Sequence, residues 1–174
     1  MVAQINNRLK IRNIIWFFSM GFLVLISHAQ VYSQEMPPRP ISVFFNQNLN
    51  FGAFSPGFSG GTVTVTSNGI RFSTGSVILV NQGYMYYPAI FLLEGNPGSI
   101  VHLLNGPDAT LVGSSGGSMT LHLGDATPGD PIIINVAPPG NLQIRIGGTL
   151  IVGNQQANPA GYYNGSFSVM FIQE

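Results

Sequence analysis

The sequence predicts an all-β fold, an antiparallel β-sandwich. Three observations carry that expectation. Apolar residues recur in short runs, many alternating with polar ones as in strands with one buried face. The 22 glycines and 12 prolines interrupt the chain too often for long helices. Beyond the first thirty residues or so, no stretch sustains the 3.6-residue period of an amphipathic helix.

The N-terminus reads as a targeting segment. Arg8, Lys10 and Arg12 form a basic cluster, residues 14–26 are an uncharged apolar run, and Ser27-His28-Ala29 is a small-x-small cleavage pattern. Together these predict a signal peptide over 1–29, removed after Ala29. The apolar run falls short of the roughly 20 residues that span a bilayer core, so no stable membrane span is expected after cleavage. The expected location is beyond the inner membrane: periplasmic, cell-surface or extracellular. The chain has no cysteine, which excludes a lipoprotein anchor and disulfide staples. A core of hydrocarbon must then supply the stability alone.

Residues 30–40 contain Pro37, Pro38 and Pro40 and predict a flexible segment; 41–174 is expected to be one domain. Past the leader the charges are Arg39, Arg71 and Arg145 against Glu35, Glu94, Asp108, Asp125, Asp130 and Glu174. Binding to nucleic acid needs a basic stripe to neutralise phosphates. None exists here, so a nucleic-acid partner is excluded.

The strands follow in order. "ISVFF" (41–45) is apolar and β-branched. "GGTVTVTSNGIRFSTG" (60–75) predicts a hairpin: Val63 and Val65 alternate with threonines, Asn68-Gly69 suits a type I′ turn, and Ile70 and Phe72 resume the alternation. "SVILV" (76–80) and "YPAIFLLE" (87–94) read as central strands. "SMTLHL" (118–123) sets Met119, Leu121 and Leu123 on one face. "IIINV" (132–136) lies between prolines. "NLQIRI" (141–146) sets Leu142, Ile144 and Ile146 against Gln143 and Arg145. "AGYYNGSFSVMFIQE" (160–174) ends the sequence on alternating Phe167, Val169 and Phe171. A small outer-membrane barrel is a remote alternative, because its lipid-facing strands need about ten residues each.

Four segments, 49–75, 113–123, 147–156 and 160–171, resemble in order those of a secreted bacterial family known as domain of unknown function 4402. A more distant similarity links the chain to spore-coat-U and fimbrial-subunit (pilin-like) domains. These likenesses imply an immunoglobulin-like sandwich and a structural role at a cell surface. Pilins of the chaperone–usher type end in an alternating strand preceded by a glycine and finished by a penultimate aromatic residue. Gly161 matches the glycine; Gln173 departs from the aromatic. The implied interface strand holds Gly161, Tyr163, Phe167, Val169 and Phe171. The expected partners are copies of the chain or other surface subunits, joined by strand addition. Residues 41–45 either extend a donor segment from residue 30 or form the domain's own first strand, and the second is favoured.

Chemistry is weakly signalled. "GFSGG" (57–61) and "GSSGG" (113–117) fit G-x-S-x-G, but neither leads into a helix as a nucleophile elbow requires. Ser59, Asp108 and His122 occur in hydrolase order with nothing to unite them. Asp125 and Asp130 share the loop "GDATPGDP" and are weak calcium candidates. His102 and His122 are expected to stand without a carboxylate partner, and Glu94 to be solvated. Tyr84, Tyr86 and Tyr87 could form a glycan platform or pack at a strand end. No cofactor and no enzymatic activity are expected. A monomeric glycan-binding module is the alternative to the assembly subunit.

Overall fold

A computed structural model describes residues 39–174. The expected signal peptide and most of the proline-rich segment lie outside the described residues. Thirteen strands follow in order: β1 (Ser42–Gln47), β2 (Ala53–Ser55), β3 (Gly61–Val65), β4 (Arg71–Gly75), β5 (Ile78–Val80), β6 (Ala89–Glu94) and β7 (Ile100–Asn105). After them come β8 (Ala109–Gly113), β9 (Ser118–Thr127), β10 (Ile132–Ile133), β11 (Leu142–Val152), β12 (Tyr163–Asn164) and β13 (Val169–Gln173). Every ladder between them is antiparallel.

The large sheet is built on β11, whose eleven residues are long enough to hold several partners. Its first half pairs with β6 and its second half with β3, end to end on one side; β9 runs along the other. Gly147 marks the switch between β6 and β3. A Cβ there would sit 2.6 Å from the Val65 carbonyl oxygen and 2.7 Å from the Ser67 nitrogen, so only glycine fits. The sheet runs β1-β6-β11-β9-β8-β12, with β4 beyond β3; a small sheet, β10-β7-β13, forms the second layer. β2 and β5 make a separate ribbon.

The interior follows from alternation. Val63, Val65, Ala89, Leu93, Ile144 and Ile146 of the large sheet, with Val101 and Ile132 of the small one, are fully buried in one hydrophobic core. Met119, Leu121, Leu123, Ile144 and Ile146 bury as their periodicity predicts. This is the expected all-β, immunoglobulin-like antiparallel sandwich. Among the described residues β1 and β12 end the large sheet and do not pair with each other, so the strands do not close into the barrel weighed above.

Three local readings need correcting. The 60–75 hairpin forms, but Val65 pairs with Arg71 and Val63 with Ser73. The Thr66 amide still donates to the Ile70 carbonyl, so the loop holds three residues, 67–69, with the left-handed conformation at Gly69 (φ 80°) and not at Asn68. A type I′ turn would have two central residues with positive φ. One extra loop residue flips the returning strand, so Ile70 and Phe72 face solvent and are 62% and 46% exposed. Second, "SVILV" is no central strand: among the described residues β5 pairs only with three-residue β2, and Ile78 is exposed. Third, β7, β8 and the second half of β11 are strands that the pattern reading passed over.

Ile144→Ala and Ile151→Ala should separate inside from outside on one strand. Ile144 is fully buried and Ile151 half exposed. Truncation is expected to cost about 2–5 kcal/mol at Ile144 and about 0.5 kcal/mol or less at Ile151, read by urea denaturation.

Candidate functional site: an open seam between two edge strands

β1 and β13 are both edge strands, one in each layer. Among the described residues β1 pairs only with β6, and β13 only with β7. In the β7–β13 ladder the Gly106 and Glu174 amides donate to Ser168 and Ile100 carbonyls. Antiparallel pairing alternates, so even-numbered residues of β13 bond to β7. Val169, Phe171 and Gln173 then aim their N–H and C=O groups away from it, into an unpaired edge.

The inner face of β1 lies beside that edge. Val43 pairs with Leu93 and Phe45 with Phe91, and side chains opposite one another share a face. Leu93 is fully buried, yet Val43 is 39% and Phe45 60% exposed. Side chains pointing inward are therefore uncovered, because the small sheet stops at β13. An aromatic chain crosses the gap: the Phe45 and Phe91 rings lie edge-to-face at 5.9 Å, and Phe91 and Phe171 at 5.7 Å.

One end of the seam is closed by a side chain. The Gln173 amide donates to the Arg39 carbonyl at 3.3 Å, and its oxygen accepts the Ile41 N–H at 3.0 Å. The two edges approach only closely enough for a side-chain amide to bridge them. Arg39 also pairs with Glu94 at 3.1 Å, so Glu94 is an ion-paired, partly buried residue and not a freely solvated one.

The expected interface residues divide. Phe167, Val169 and Phe171 pack against the core on the seam side. Gly161 and Tyr163 lie elsewhere: Tyr163 is in β12, paired with Gly113 of β8, and Gly161 packs on Ser114. The single terminal strand expected from sequence is two strands in different layers. The crossing follows Gly165, where a Cβ would meet the Thr110 carbonyl and Leu111. Residues 41–45 begin the domain's own first strand and are not a free donor.

Both described histidines have carboxylate partners, contrary to expectation. His122 Nδ1 lies 2.7 Å from Asp108, on the exposed face of the large sheet. His102 lies between Asp130 and Glu174, at 3.0 Å from each. Those contacts raise His102 above its ordinary value, Asp130 contributing most, and the His102 and Leu103 contacts lower Asp130. Ser59 does not join the Asp108–His122 pair; its hydroxyl bonds to Ser76 at 3.1 Å. Asp125 lies on β9 rather than in a loop with Asp130. Among the described residues no three His, Asp or Glu side chains gather as a metal site.

The tyrosines split between packing and exposure. Arg71, turned inward by the hairpin register, donates to the Phe51, Ala53 and Val80 carbonyls and to Asn81. The Tyr86 ring stacks on its guanidinium at 4.4 Å. Tyr87 exchanges backbone bonds with Asn50. Tyr84 and Met85 project to solvent. A cavity of about 190 Å³, lined by Ser67, Asn68, Gly69, Pro88, Ile90 and Arg145, is below the roughly 300 Å³ of ordinary small-molecule sites.

Pattern reading found Val169 and Phe171 but missed Phe91 and Gln173. Phe91 looked like any core residue, and no local signal marks Gln173 as a bridge. Residues 41–172 match the sequence model of a family described as "Domain of unknown function (DUF4402)". No curated protein and no solved structure matches the chain.

The uncovered face makes neighbouring phenylalanines unequal. Phe91→Ala should cost about 3 kcal/mol or more, and Phe45→Ala about 1 kcal/mol or less, in equilibrium unfolding of the monomer. Equal losses would mean that something covers Phe45.

Proposed function

The chain belongs to the DUF4402 family, and we propose that it is an exported, non-enzymatic structural subunit of a bacterial surface or fimbria-like assembly. A neighbour joins by adding a strand along the free edge of β13. One observation carries this reading: Val43 and Phe45 face the interior but remain exposed beside an unpaired edge. A strand laid there would take main-chain hydrogen bonds from Val169, Phe171 and Gln173. Its alternate side chains would cover Phe45 and Phe171, giving register. The basic and apolar leader over 1–29 supports export. The separation of Ser59 from His122 supports the absence of hydrolysis.

A glycan-binding role is the second reading. It is favoured by Tyr86, held flat by Arg71, next to exposed Tyr84 and Met85. Calorimetry with a glycan panel would reveal heat that disappears in Tyr84→Ala and Tyr86→Ala.

Val169→Pro tests the leading reading. The Val169 N–H points away from β7, so proline there should spare the internal ladder while blocking an added strand. Sedimentation velocity of the chain from Gln30 should show concentration-dependent association in wild type and a folded monomer in Val169→Pro. A wild-type monomer at every concentration, alone and mixed with co-expressed surface subunits, would contradict strand addition.

A further inference from the structure

His102 stands on the outer face of the small sheet, paired across the ladder with Ile172 of the edge strand. Both ring nitrogens are engaged by carboxylates from separate parts of the chain. Nδ1 lies 3.1 and 3.0 Å from the two Asp130 oxygens, and Nε2 3.0 Å from a Glu174 oxygen. Asp130 belongs to the connection between β9 and β10, and Glu174 directly follows β13. One imidazole thus ties the end of the open edge strand to the connection behind it.

We propose that His102 is a proton-dependent latch on β13, holding its end while the imidazole is charged and releasing Glu174 when the ring is neutral. An imidazolium has two N–H donors, one for each carboxylate; a neutral ring has one donor and one lone pair. After deprotonation that lone pair faces a carboxylate oxygen, and one attractive contact becomes repulsive. Asp130 also accepts the Leu103 N–H at 3.0 Å, which keeps it in place. The Glu174 carboxylate has no such second bond among the described residues, so its contact is the one given up.

No competing charge lies on the packed elements. β10 and β13 carry no ionisable side chain, and His102 is the only one on β7. Arg39, whose carbonyl bonds to Gln173, directs its guanidinium to Glu94. The pH window follows from two opposite shifts. His102 is raised above 6.5, so its contribution is complete below 6.5 and is lost as pH rises through the raised value. Asp130 is lowered beneath 3.8, so its contribution is complete above 3.8 and is lost as pH falls through the lowered value. Between those limits the His102–Asp130 pair is fully charged. All three side chains are solvent-accessible, so salt should weaken it.

The latch itself does not depend on strand addition; its effect on assembly rests on that proposed function. The test uses the full chain from Gln30, dilute enough to be monomeric. In an NMR titration, His102 should titrate above 6.5, and Asp130→Asn and Glu174→Gln should each lower its midpoint. Amide exchange at Ile172 and Glu174, corrected for intrinsic pH dependence, should accelerate several-fold as pH passes that midpoint. The step should vanish in Glu174→Gln. A His102 midpoint at or below 6.5, or protection without a step, would overturn the latch whatever the chain's association. Association absent at every pH, with the exchange step present, would count against strand addition and leave the latch standing.

Discussion

The fold depends on one long strand having partners on both sides. β11 takes β9 on one flank and β6 followed by β3 on the other. Its inward residues Ile144, Ile146, Leu150 and Val152 run through the centre of the interior. With no disulfide available, this ladder and the hydrocarbon beneath it must hold the domain together. The glycine that allows the change of partner, Gly147, matters as much as the apolar residues. Without it β3 and β6 could not share one flank.

A spine of that width creates an imbalance. The large sheet reaches out to β1, while the small sheet ends at β13 with only three strands. The interior is therefore closed over Leu93 and Val101 and open over Phe45. Edge strands normally carry charge, bulges or cover that discourage pairing. β1 has such a bulge, between Phe45 and Gln47. β13 has none, and its protection is confined to its end, where Gln173 bridges to residues 39–41 and Glu174 meets His102.

Much of the fold was legible because period-two alternation is a local property. The inward faces of β9 and of the first half of β11 follow directly from it, as does the absence of helix among the described residues. Features set by distant contacts were not legible. The hairpin register turned on whether its loop has two or three residues, and that choice sent Arg71 inward to gather three carbonyls. β7 was passed over because "SIVHLL" mixes buried Val101 with exposed Ile100 and Leu104, blurring the alternation. The seam was half legible. Val169 and Phe171 announced a strand with one buried face, but the openness beside them depends on where two sheets end. The partners of His102 are 28 and 72 residues away in sequence, beyond any spacing rule.

In the isolated subunit the outward edge of β13 has no strand partner among the described residues. Residue-resolved amide exchange of the dilute monomer reads that edge strand by its hydrogen bonds. Alternation is expected, with slow exchange at Met170, Ile172 and Glu174 and near-unprotected exchange at Val169, Phe171 and Gln173. Uniformly slow exchange across 169–174 would show that the edge is already occupied, and the seam would not be a site.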